Sequence, residues 1–141
     1  MTDILSAGIR TGQLIAVDRV TALEAGVRAT GIRNVPSTLA IFDSHFPRFP
    51  VLPGVLILGS LGLLASLLLA EDTSASWRLA GAETVRYRHF VQPGDQMDLT
   101  VELKERGSSA AICSGTVRVD GKPVTTVRKL HMTCFTGEGG R

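Results

Sequence analysis

The sequence predicts an α+β domain in which an antiparallel sheet curls around one long helix, and three observations carry that prediction. The run Pro53 to Ala70 (PGVLILGSLGLLASLLLA) has helical length, no charged residue and no polar face, so it belongs enclosed on every side. Strand-like segments flank it, two short, β-branched and partly alternating ones before and about four after. Turn signals separate the later segments at hairpin spacing. Strands grouped on either side of a single helix indicate an α+β domain rather than alternating βαβ units.

Gln13–Leu23 (QLIAVDRVTAL) and Gly26–Val35 (GVRATGIRNV) read as two strands joined by a turn near Glu24 and Ala25. Pro36 and Ser37 close the second, and Thr38–Phe42 suits a short helical turn. Pro47, Pro50 and Pro53 then hold an extended, stiff loop, because proline fixes its own φ and keeps the preceding residue extended. Pro53 fits the first turn of the helix, where its missing N–H costs nothing. Trp77–Val91, broken near Gly81, then Gln96–Lys104, Ser109–Val119 and Pro123–Cys134 read as the later strands. Their turns are Pro93-Gly94-Asp95, Glu105-Arg106-Gly107-Ser108 and Asp120-Gly121. One helix cannot cover such a sheet, so a second copy or a relative is expected to complete it by pairing edge strands.

The 141 residues suit a single domain, ordered over about residues 5–135, with a short frayed tail from Gly137 to Arg141. With 44% hydrophobic and 20% charged residues the chain can bury a core built mostly of aliphatic side chains. Fifteen basic against thirteen acidic residues, net +2, give no nucleic-acid surface. The apolar run approaches the length of a membrane span, but its glycines and serines, its lack of basic flanks and the strands that need it as a core make it a buried helix and exclude a membrane role. The two cysteines, Cys113 and Cys134, lie in strand segments, and the N-terminus lacks the pattern of a secretion signal. Two inert core thiols and a cytoplasmic location are therefore expected.

The chemistry-bearing stretch is His45–Gly59 (HFPRFPVLPGVLILG), a histidine at the head of the stiff loop leading onto the helix. It resembles the signature of the β-hydroxyacyl-acyl carrier protein dehydratases of the FabA/FabZ type, roughly HFPGxPVMPGVLILEAMAQ. Val17-Asp18-Arg19-Val20 is similar to that family's LVDRV strand, and Arg33-Asn34-Val35 to its KNV. Pro93-Gly94-Asp95-Gln96 resembles its PGDQL turn, and Val119-Asp120-Gly121 its late VDG hairpin. The landmarks stand in the family's order over most of the chain.

That resemblance implies the hotdog fold, a dimer with two sites at its interface, and elimination of water from a 3-hydroxyacyl thioester to give a trans-2-enoyl product. The substrate is carried on the phosphopantetheine of an acyl carrier protein, with no metal or redox cofactor. It also implies that His45, whose ordinary pKa of about 6.5 suits proton transfer, is the base. The backbone N–H of Gly54, at the helix start, would donate to the thioester oxygen. Phe46, Arg48 and Pro53 are the loop residues nearest the site. His89 and His131 are strand residues without an assigned role.

Three positions depart from the pattern. The helix acid of the family is matched by Gly59, its glutamine by Leu63, and the glycine after HFP by Arg48. No carboxylate lies between Pro53 and Ala70, Glu71 is about three turns beyond Gly59, and Asp43 better orients a turn or the histidine. Ser60, or the space left at Gly59, could hold a water. Losing a placed general acid costs roughly 10²–10⁴-fold in rate. The leading reading is a dehydratase of fatty-acid or polyketide synthesis, working alone on an easy substrate or as one half of a heterodimer whose partner donates the carboxylate. The alternatives are a hotdog thioesterase using the cleared space for water, and a non-catalytic subunit. Arg48, Arg86 and Arg88, with Arg78, are the candidate contacts to the acidic carrier.

Overall fold

A computed structural model describes residues 9–11, 14–39, 50–70 and 76–135. Its elements are β1 (Ile9–Thr11), β2 (Ile15–Val17), β3 (Arg19–Glu24), β4 (Arg28–Asn34), α1 (Gly54–Ala70), β5 (Ser76–Tyr87), β6 (Gln96–Arg106), β7 (Ala110–Val119) and β8 (Lys122–Phe135). Six of these strands form one antiparallel sheet in the order β3-β4-β6-β7-β8-β5, and β1 pairs with β2 in a separate ribbon.

Period-two patterning sets the sheet's two faces. In β6, Met97, Leu99 and Val101 are fully buried while the residues between them are more exposed, and Cys113, Val117, Leu130 and Met132 continue that inner face across β7 and β8. Against it packs α1 through Leu61, Leu64, Leu68 and Leu69, each at most 1% exposed. Burying a leucine contributes about 1.5–3 kcal/mol, so this helix is the main apolar anchor of the domain. Gly115 lets it lie close, since a Cβ there would meet Leu61 Cδ1 at 3.0 Å. At the far end of α1, Arg106 donates to the Leu69 carbonyl at 3.1 Å and lies 5.4 Å from the Trp77 ring centre.

Several expectations are corrected. The segment expected as one strand, Gln13–Leu23, is two, because Asp18 bends between them: its N–H donates to Ile32 O at 2.8 Å and its carboxylate accepts from the Asn34 N–H at 2.7 Å. The strand expected over Trp77–Val91 is β5, which ends at Tyr87 and leaves His89 beyond it; the expected break appears as a register shift between Leu79 and Gly81. Enclosure of the helix is incomplete, with Val55 69% exposed and Leu58, Gly59, Leu63 and Ser66 only partly covered. Cys113 is buried, but Cys134 is only half-buried. Among the described residues no helix is long and apolar enough to cross a membrane. The Asp120-Gly121 turn forms as expected, with positive φ at both residues.

Candidate functional site

Hydrogen bonds gather the sequence landmarks at the N-terminal end of α1. Asp18 accepts from Asn34, the Val35 N–H donates to Asp95 O at 2.9 Å, and the Gly94 N–H donates back to Val35 O at 2.8 Å. Asp95 also closes its own turn, accepting from the Gln92 N–H at 2.9 Å. The Leu52 N–H donates to Val91 O at 2.7 Å, pinning the entry to the helix against the same turn. Residues far apart in sequence thus build one rigid seat for the helix start.

Pro53 O accepts from the Leu56 N–H at 3.0 Å and the Ile57 N–H at 3.4 Å, so Pro53 stands just outside the helix. The N–H groups of Gly54 and Val55 precede the first intrahelical bonds, and such amides, with the helix dipole, favour negative charge. Over Gly54 lies the ring of Tyr87, with its hydroxyl oxygen 2.7 Å from where a Cβ on Gly54 would stand. Burial raises the Tyr87 pKa above its ordinary 10.0. The sequence does not mark Tyr87 as a site residue; its signal is the alternation of VRYRHF, which puts Tyr87 on the face opposite Arg86 and Arg88.

Beside the open face of α1 runs an apolar groove of about 530 Å³, lined by Ile15, Val55, Leu58, Gly59, Leu63 and Leu79 among others. Gly59 lines this groove, and Ile15 leans directly on it. A Cβ there would stand 2.8, 3.0 and 3.1 Å from Cδ1, Cγ1 and Cγ2 of Ile15. Ser60 does not aim a free hydroxyl at the site either, because it is fully buried and donates to Ala16 O at 2.7 Å. The expectation of a water held by Ser60 is therefore corrected, and at Gly59 the Ile15 side chain of β2 narrows the space beside the glycine.

His45, Phe46, Arg48, Asp43 and Glu71 lie outside the described residues. Arg86 and Arg88 meet Arg128 around a polar cleft of about 250 Å³ that Thr84, Thr116 and Thr126 also line. No carboxylate among the described residues pairs with any of the three arginines. Arg78 is elsewhere, on the groove beside α1. His131 is bound to Glu83 at 2.5 Å. Among the described residues no three of His, Cys, Asp or Glu cluster as metal ligands would.

Residues 9–128 match the model of a FabA-like domain. The chain is 38% identical over 127 residues to the 3-hydroxyacyl-[acyl-carrier-protein] dehydratase FabZ of Bacillus subtilis, covering 88% of each. It is also 38% identical over 113 residues to the FabZ of Geobacillus thermodenitrificans, covering 78% of each. In structure it is similar to the dehydratase heterocomplex ApeI:P from Xenorhabdus doucetiae, with a TM-score of 0.63, 24% identity and coverage of 81% of this chain and 96% of that one. It is similar too to a hypothetical thioesterase with coenzyme A from Streptococcus pneumoniae, with a TM-score of 0.63, 11% identity and coverage of 84% and 85%. At those identities the two structures speak for the shared hotdog fold alone.

Proposed function

The chain belongs to the FabA-like domain family, and from that membership we propose that it is a 3-hydroxyacyl-[acyl-carrier-protein] dehydratase whose site is completed by a second, related hotdog chain. The observation that carries the first half is the 38% identity to a FabZ dehydratase over 88% of both chains. The second half rests on α1, which offers no carboxylate along its length. The structural neighbour from Xenorhabdus doucetiae is itself a dehydratase heterocomplex, which supports that reading.

In this reading His45 removes the proton beside the thioester carbonyl, and the electron pair moves onto the carbonyl oxygen. The Gly54 N–H, one of the unpaired amides at the helix start, steadies that charge. As the electrons return, the C–O bond to the hydroxyl breaks and the leaving oxygen takes a proton from the partner's carboxylate, departing as water. The 3-hydroxyacyl group arrives on the phosphopantetheine arm of an acyl carrier protein in the cytoplasm, met by Arg48, Arg86 and Arg88.

The test follows a 3-hydroxyacyl thioester on acyl carrier protein by mass spectrometry, with the chain alone, with candidate partner hotdog chains, and with His45→Ala in each. Expected is enoyl product that grows at least 100-fold when a partner with a helix carboxylate is added and disappears with His45→Ala. Free acid in place of enoyl product would overturn the reading in favour of a thioesterase, and turnover untouched by His45→Ala would remove His45 from the mechanism.

A further inference from the structure

Position 59 is not simply missing an acid; Ile15 of the same chain crowds the point where its side chain would begin. Three of the four side-chain carbons of Ile15, including both branches at its Cβ, stand within 3.1 Å of where a Cβ on Gly59 would be. Both branches face the position, so a turn of roughly 120° in χ1 replaces only one of them by hydrogen and leaves a carbon against it. The backbone on either side of Ile15 is also held. Leu14 O accepts from Nη1 of the buried Arg33 at 2.6 Å, and Ala16 O accepts from the buried Ser60 at 2.7 Å. Ser60 is the helix residue next to Gly59, so the bond that fixes β2 fixes it against the very turn that bears the glycine.

We infer that Ile15 and Gly59 are a coupled pair: Ile15 is a fixed wedge in the volume a side chain at position 59 would need, so α1 of this chain can serve only as an apolar wall and not as a donor of the acid. This deepens the heterodimer reading and rests on it. A mixed dimer then has one competent site, which takes its carboxylate from the partner's helix. Its other site, walled by α1 of this chain, holds an acyl chain without eliminating water. Two copies of this chain together would contain no acid donor, and restoring a carboxylate by a single substitution would not create one.

The experiment is a cycle in the full chain, with Ile15→Ala as the second background. Alanine has the higher helix propensity, by about 1 kcal/mol over glycine, so Gly59→Ala raises the melting temperature wherever the space is free. The expected result is a reversal of sign: Gly59→Ala lowers the Tm beside Ile15 and raises it beside Ile15→Ala. A rise in both backgrounds would overturn the wedge. In parallel, Gly59→Glu is assayed for dehydration by the chain alone, with and without Ile15→Ala. Expected is enoyl product at least tenfold greater in the double variant than in the single one, whereas equal turnover by the two would overturn the coupling. The sign reversal with no turnover from either variant would uphold the wedge and count against the dehydratase reading instead.

Discussion

Tyr87 lies so close on Gly54 that a Cβ at that glycine would be 2.5 Å from the tyrosine's Cζ and 2.8 Å from its Cε1. A ring cannot interpenetrate a methyl group, so glycine at 54 is a condition for the ring's position and for the placement of the amide beneath it. Gly54→Ala is therefore expected to lower kcat/KM for dehydration in the heterodimer proposed above by about 10–100-fold, because displacements near 1 Å carry such costs. Adding Tyr87→Ala to Gly54→Ala should recover part of the loss. Equal activity of Gly54→Ala and the unmodified chain would show that the contact does not place the site.

At the other end of α1, Arg106 combines a hydrogen bond to the Leu69 carbonyl with a position over the Trp77 ring. The guanidinium answers the negative end of the helix dipole and covers an aromatic face together. Arg106→Ala is expected to cost about 1–2 kcal/mol of unfolding free energy in urea titrations, with an unchanged m-value. Because this end lies a helix length from Gly54, kcat should stay within a factor of two once the protein is folded, a margin of about 0.4 kcal/mol in barrier.

The elements that were legible in the sequence are those whose signal is local. The helix Gly54–Ala70 follows from one uninterrupted apolar run, and the Asp120-Gly121 hairpin from a dipeptide that tolerates positive φ. The family's landmarks, read from the resemblance, gather through turn residues such as Asp18 and Asp95, whose side chains bind backbone N–H groups. What stayed hidden is long-range. The QLIAVDRV stretch carries no glycine or proline to mark a break, so nothing local shows that Asp18 leaves the ladder to accept from Asn34, sixteen residues on. Ile15 against Gly59, and Ser60 against Ala16, join residues forty-four apart, and no periodicity reports which strand will lean on a helix. The contact of Tyr87 with Gly54 was half legible, since alternation gave its face but not what it meets.

Arg86, Arg88 and Arg128 converge on one polar cleft without a carboxylate among the described residues to balance them. Unbalanced cations at an exposed surface favour encounter with an acidic partner and are screened by salt. With the carrier-protein role proposed above, charge reversal at Arg86 and Arg128 should raise KM for carrier-bound substrate about tenfold at low ionic strength. KM for the same acyl group on free pantetheine should not change, and the gap should close in 0.5 M salt, where the Debye length falls to roughly 4 Å. A rise in KM for both substrates alike would place these arginines at the acyl site rather than at the carrier.

Cys113 sits fully buried on β7, and burial pushes its thiol up from 9.0 to about 11 against a smaller opposing pull from the Arg106 charge. The folded state thus holds this proton more tightly than the unfolded chain does. The contribution to stability is whole below about pH 9 and is lost as the pH rises through about 11, by up to roughly 3 kcal/mol for a two-unit difference. The raised Tyr87 phenol pushes in the same direction. Denaturant titrations from pH 8 to 11 should therefore show a steeper alkaline fall in the unmodified chain than in Cys113→Ala, while the alkaline fall that remains in Cys113→Ala should flatten further with Tyr87→Phe. Parallel curves for the unmodified chain and Cys113→Ala would mean that the thiolate is accommodated on β7 without cost, and then the Arg106 charge, not burial, would govern that thiol.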